Sequence, residues 1–310
     1  MQISDGIKSY EWIENWAKIP DTPSGRENGR THGVAVLKLG NVVIFNQANP
    51  AVLIYNPDGE LLESWGDRFA GAHGLTAVEE DGVEYLWLTD QNTAEVVKTT
   101  LTGETVLTLA CPDLPIYAEK KFIPTWVAVD EVRHGGSGDI WVTDGYGTGL
   151  IHRYSADGTY VSSIDGSEGG GLFSCPHGIW IDTRKAEHEL LVADRGNHRI
   201  QVYTMEGIYK RTFGADVLTS PDCFAPNGDE IVVPELFGRL AVFDANEALV
   251  GYLGDQPEAQ KLAGWPNVAP ELIVEGKFNS PHGAAADAAG NIYSGEWIVG
   301  GRLVKLALVS

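Results

Sequence analysis

Apolar and polar positions along this chain fall into short runs, and the runs come back in a fixed order. A first apolar run such as Gly178-Ile179-Trp180-Ile181 is followed by a second, seen as Tyr85–Asp90, Asp139–Asp144 and Leu190–Asp194. A third run alternates strictly, as in Arg199-Ile200-Gln201-Val202-Tyr203. Turn residues then intervene, Asn56-Pro57-Asp58-Gly59, Ala156-Asp157-Gly158 or Met205-Glu206-Gly207, and lead to a fourth run such as Glu60–Trp65 or Tyr209–Phe213. Alternation with period two, bounded by Asp-Gly and Asn-Pro turns, predicts antiparallel hairpins, and no long stretch has the 3.6-residue period of a helix.

The four-run pattern repeats six times. Aligned at the start of the first run, the units begin at His32, His73, Thr125, His177, Asp222 and His282, separated by 41, 52, 52, 45 and 60 residues. Self-similarity at that spacing, with four strands per unit, predicts an all-β fold, a six-bladed β-propeller spanning residues 1–310 as one domain. The last unit stops one strand short after Arg302–Leu306. The outer strand it lacks is expected from Ser9-Tyr10-Glu11-Trp12-Ile13, so that the N-terminal strand closes the ring and removes two exposed edges.

The register itself carries chemistry. Histidine occupies it in Thr31-His32-Gly33, Ala72-His73-Gly74, Pro176-His177-Gly178 and Pro281-His282-Gly283. With eight histidines in 310 residues, four at six equivalent positions is far more than scatter gives. First strands line the axis of a propeller, and His73, His177 and His282 stand in alternate units. Three imidazoles so related bind a divalent metal, zinc among others, and leave positions open for water or substrate. Iron, cobalt, nickel and copper suit the same donors. His32 and Asp222 belong to the other trio; either could complete the coordination, orient a ligand or lie nearby.

Second strands should deliver their ends to the same face, bringing Gln47, Asp90, Asp144 with Tyr146, Asp194 with Arg195, Glu235, and Glu296 with Trp297. For Asp90, Asp144 and Asp194 turn chemistry is the favoured reading. Tyr146 is a candidate general base and Arg195 a candidate carboxylate clamp.

The unit Pro176–Ile179 through Ala193-Asp194-Arg195-Gly196-Asn197-His198-Arg199-Ile200-Gln201-Val202-Tyr203 resembles an NHL repeat. Over residues 30 to 306 the set of units is similar to the peptidyl-α-hydroxyglycine α-amidating lyases. That resemblance implies one zinc on His73, His177 and His282, a catalytic tyrosine in Asp144-Gly145-Tyr146, and an active-site arginine at Arg195. Departures accompany it. A second family arginine falls on Gln47, a methionine on Ser280, and a cysteine on Gly147. The aspartate of a structural calcium falls on Gly283, although its backbone partners match Val34 and Leu75, which leaves calcium a weak second candidate. Together these imply a metal-dependent lyase or hydratase acting on a small hydroxylated or carbonyl substrate. Tyr146 and Arg195 are its expected catalytic groups, with Asp222 as an alternative base and Gln47 lining the pocket. The alternatives are a metal-dependent hydrolase and a non-catalytic NHL scaffold with a structural metal.

Composition narrows the partners. A net charge of −21 argues against nucleic acid and anionic membranes and for a small-molecule substrate. No run is long and apolar enough for a membrane helix. Three cysteines without CxxC spacing, and a start lacking a leader pattern, point to a cytoplasmic chain. Oligomeric state is not encoded in any pattern here.

Overall fold

The computed structural model describes residues 1–309. Its strands form the expected six-bladed β-propeller: five four-stranded antiparallel sheets and one of five strands. Blade 1 is Thr31–Val36, Val42–Asn46, Val52–Tyr55 and Leu61–Trp65; blade 2 is Ala72–Glu80, Val83–Asp90, Glu95–Thr100 and Thr105–Thr108. Blade 3 is Trp126–Val129, Ile140–Thr143, Ile151–Tyr154 and Tyr160–Ile164; blade 4 is Pro176–Asp182, Glu189–Asp194, Arg199–Thr204 and Tyr209–Phe213. Blade 5 is Ala225–Asn227, Glu230–Glu235, Arg239–Phe243 and Leu249–Leu253. Blade 6 joins Pro281–Ala286, Ile292–Glu296 and Leu303–Leu308 to Ser9–Ile13, with Gln2–Ser4 as a fifth strand that the repeat does not announce. Among the described residues no helix is long and apolar enough to cross a membrane.

The chain divides into two compact units. One comprises Met1–Ala70 and the chain from Val217 on, holding blades 5, 6 and 1; the other, Gly71–Asp216, holds blades 2, 3 and 4.

Within each blade the burial gradient follows the sequence. Second strands are enclosed on both faces, so they read as unbroken apolar runs, and all of Ile140-Trp141-Val142-Thr143 is buried. Fourth strands face outward, and four of the five residues in Leu61–Trp65 are exposed. Blades 2 and 3 pack face to face through their inner three strands. In the second unit Trp87, Val96, Val127, Ile140, Val142 and Tyr154 form one cluster. Each large side chain so enclosed contributes about 1.5–3 kcal/mol relative to exposure. The turns obey their residues too: Asn56 Oδ1 accepts from the Asp58 and Glu60 amides, an Asx turn, and Gly59 takes the left-handed φ of 88° that the turn requires.

The closing strand lies where the apolar pattern placed it. Tyr10, Trp12 and Ile13 pair with Leu308, Leu306 and Lys305. Buried Arg302 fastens it, donating to both Glu14 carboxylate oxygens at 2.7 Å and to Glu296 at 3.2 Å. Blade 5 departs from the repeat. Its first strand starts at Ala225, and Asp222 lies ahead of it beside an isolated bridge between Pro221 and Glu235. Pro221, Pro226 and Pro234 each remove a backbone donor, which leaves too few for a full ladder.

Candidate metal and catalytic site

Five second strands end in a buried carboxylate, and all five do the same work. Asp90 accepts from the Gly71 amide at 2.8 Å, Asp144 from Ile123 at 2.6 Å, and Asp194 from Ser174 at 2.8 Å. Glu235 accepts from the Thr219 amide and Glu296 from Asn279. Each acceptor thus pins the loop two or three residues before a register residue. Asp90 adds the Asn92 and Thr93 amides, and Asp144 adds Thr148 and the Tyr117 hydroxyl. These acids hold the backbone that presents the register residues, and for Asp90, Asp144 and Asp194 this is the turn chemistry expected of them.

In the second unit His73, His177, Tyr146 and Arg195 meet. The His73 Nδ1 lies 2.8 Å from the Thr125 carbonyl oxygen. A carbonyl only accepts, so Nδ1 carries the proton and Nε2 is left with its lone pair facing inward. Burial pushes the His73 pKa down to about 3, the Arg195 cation adds to this, and the Thr125 bond opposes it; the ring is neutral across the physiological range. His73 Nε2 stands 3.2 Å from His177 Nε2, and the Tyr146 hydroxyl lies 3.1 Å from the first and 3.0 Å from the second. Arg195 Nη2 donates to the Tyr146 oxygen at 3.2 Å and to the Cys175 sulfur at 3.4 Å.

Glycines make this approach feasible. A Cβ on Gly74 would collide with the Thr125 carbonyl and come within 2.8 Å of the Trp126 Cα. One on Gly145 would run into the Pro176 carbonyl. The glycine after His73 therefore admits the neighbouring blade's backbone, and the glycine before Tyr146 brings that ring onto His177.

In the first unit the same pattern recurs. His282 Nδ1 is 3.3 Å from the His32 carbonyl oxygen, and the two imidazole rings meet edge to face at 4.4 Å. Asp222 is buried, with its amide bonded to the Pro234 carbonyl at 2.8 Å. Gln47 is also buried, and its backbone N–H donates to the Arg30 carbonyl at 2.9 Å. Gly283, which stands where the resemblance places a calcium-binding aspartate, has no room for a Cβ against the His32 backbone. The three cysteines Cys111, Cys175 and Cys223 are free thiols.

Several neighbours carried no repeat signal. Arg30 lies two residues before His32, its guanidinium 5.6 Å from the centre of the Trp297 ring. Trp297 packs on Trp265, which comes from the long 254–280 connection. Cys175 precedes the Pro-His pair with a positive φ of 56°. Only the position of Arg30, close to a register residue, offered a hint.

No model of a known protein family matches the sequence. Among characterised proteins, the chain is 27% identical to NHL repeat-containing protein 3 of Homo sapiens over 287 residues, 85% of this chain and 77% of that protein. It is 30% identical to peptidyl-α-hydroxyglycine α-amidating lyase 1 of Drosophila melanogaster over a gapped alignment that takes in 86% of this chain but 55% of the lyase. Among solved structures, a gluconolactonase from Xanthomonas campestris superposes with a TM-score of 0.65 at 15% identity, over 97% of this chain and 90% of that one. Fold and repeat together define an NHL-type six-bladed β-propeller. Within that class the chain is a relative of NHL repeat-containing protein 3 and of the α-amidating lyases.

Proposed function

We propose that this chain is a metal-dependent lyase or hydratase that acts on a small substrate bearing a hydroxyl or carbonyl group. The observation that carries the reading is the cluster of His73 Nε2, His177 Nε2 and the Tyr146 hydroxyl, mutually 3.0–3.2 Å apart. Donors about 2.05 Å from a tetrahedral zinc lie about 3.3 Å from one another, so these separations suit a shared cation. The donor chemistry suits it as well. His73 is neutral with its lone pair presented, and the Thr125 carbonyl fixes ring and tautomer as an outer-shell partner should. The repeat register adds His282 as the third imidazole, with His32 and Asp222 as supporting groups.

A divalent cation there supplies Lewis-acid polarisation of a substrate oxygen. Tyr146 as phenolate takes the proton of the substrate hydroxyl, and Arg195 steadies the phenolate through the bond already present. The electron pair left on that oxygen closes to a carbonyl as the adjacent C–N or C–O bond breaks. The leaving group departs with the bonding pair and takes the proton back from Tyr146. The relationship to the amidating lyases supports the C–N form of this reaction, on an α-hydroxyglycine amide. Gln47, in place of a cation, supports a substrate different from theirs.

The test is turnover of small N-acyl-α-hydroxyglycines, and of their acyloxy analogues in which oxygen replaces the leaving nitrogen, by the wild type and by Tyr146→Phe. The variant is expected to keep its metal and to lose about 10²–10⁴ in rate. Undiminished turnover would place the base elsewhere. Bound metal with no turnover of either class would favour a scaffold with a structural ion.

A further inference from the structure

Arg30 lacks the acidic partner that most arginines of this chain have. Arg153, Arg184, Arg199, Arg211, Arg239 and Arg302 each sit on a carboxylate. Arg30 donates through Nη1 to the Asn28 amide oxygen, and among the described residues its buried Nε has no hydrogen-bond partner and no carboxylate lies within ion-pair distance of it. With 43 acidic residues against 22 basic ones, a half-buried guanidinium without a counter-charge is costly to maintain. Burial alone lowers its pKa, with no acidic neighbour to oppose the shift.

What surrounds Arg30 in the first unit is aromatic. Its guanidinium stacks over Trp297, whose ring lies 6.1 Å from Trp265, and Trp265 lies 5.8 Å from Phe237. All three rings are partly exposed. The Trp265 indole nitrogen donates to the Asn279 carbonyl at 3.0 Å, which fixes the middle of the wall. His32 meets the Trp297 ring at 6.5 Å, and Gln47 is tied to the Arg30 backbone. A cation at the end of a row of half-exposed rings, beside a register histidine, is a built recognition surface.

We propose that Arg30 binds the carboxylate of a ligand whose apolar or aromatic body lies along Trp297, Trp265 and Phe237. The substrate class is therefore an amphipathic carboxylate. That this ligand is a substrate rests on the function proposed above; that the surface binds it does not. Guanidinium matches carboxylate with two parallel bonds, and stacking on Trp297 holds the fork in plane.

Binding of phenylacetate, phenylacetamide and acetate, followed by calorimetry or ligand-observed NMR, tests this on the whole chain. Phenylacetate should bind at least about tenfold more tightly than phenylacetamide, which lacks the charge, and than acetate, which lacks the ring. Arg30→Gln should weaken phenylacetate at least about tenfold with no effect on phenylacetamide, and Arg30→Lys should weaken it less. Trp265→Ala should weaken both phenyl compounds. His73→Ala and chelator treatment should leave phenylacetate binding unchanged, which separates this surface from the proposed metal. Wild-type affinity in a folded Arg30→Gln protein, equal binding of phenylacetate and phenylacetamide, or loss of binding on chelation would each overturn the assignment.

Discussion

Replacing Gly74 by alanine probes how the blades deliver the site. An alanine Cβ there would overlap the Thr125 carbonyl and lie 2.8 Å from the Trp126 Cα and 2.9 Å from the Thr89 hydroxyl. Two of these are backbone atoms of the adjacent blade, so the collision cannot be relieved by a side-chain rotation. Overpacking of this kind costs about 1–3 kcal/mol. At about 2 °C per kcal/mol for a chain of this size, the melting temperature should fall by about 2–6 °C. The same displacement moves the Thr125 carbonyl away from His73 Nδ1, now 2.8 Å distant. Loss of such an outer-shell bond typically costs about 10–100-fold in metal affinity. Differential scanning calorimetry and competition with a chelator of known affinity read the two effects separately. A variant melting within about 1 °C of wild type, with unchanged metal affinity, would refute the close-approach argument for the His-Gly pair.

Two further outcomes follow from the same framework. His152 is buried between the Tyr117 hydroxyl at 2.6 Å and Ser163 at 2.7 Å, and burial lowers its pKa from 6.5 to about 4. The unfolded chain then binds the extra proton between those values, so stability should drop by about 3 kcal/mol as pH falls from 6.5 to 4, and stay flat above 6.5. In His152→Gln that slope should vanish from denaturant titrations at pH 4, 5 and 7, since Gln201 fills the equivalent place in blade 4 and accepts from Tyr203; a slope that persists would assign the loss to other groups. Asp90→Ala strips the acceptor from three backbone amides, Gly71, Asn92 and Thr93, and should cost about 3 kcal/mol in urea unfolding; a loss below about 0.5 kcal/mol would show that water replaces the carboxylate without penalty.

How much of this was legible beforehand depends on whether a residue repeats. The blades could be read because every unit alternates and turns in the same order, and Ser9–Ile13 could be placed because its apolar pattern matches the fourth strands. His73 and His177 could be grouped because they hold the register position, and Tyr146 and Arg195 because they follow the ends of second strands. The displaced start of blade 5 could have been seen in its prolines, which the alignment on Asp222 passed over. Gln2–Ser4 is three residues long, too short for any periodicity. Arg30, Trp265 and Phe237 lie in connections that differ from unit to unit, and their meeting at Trp297 depends on three-dimensional packing alone. The carboxylates at the strand ends look catalytic in a list of titratable groups. Their hydrogen bonds to loop amides show that they act on backbone instead.

Metal content of the purified chain bears most directly on the central claim. Protein prepared without chelator should carry about one divalent ion per chain, and His177→Ala, still folded by circular dichroism, should carry none. The same metal content in wild type and variant, or wild-type protein that takes up no divalent ion when supplied with excess zinc, would contradict the account.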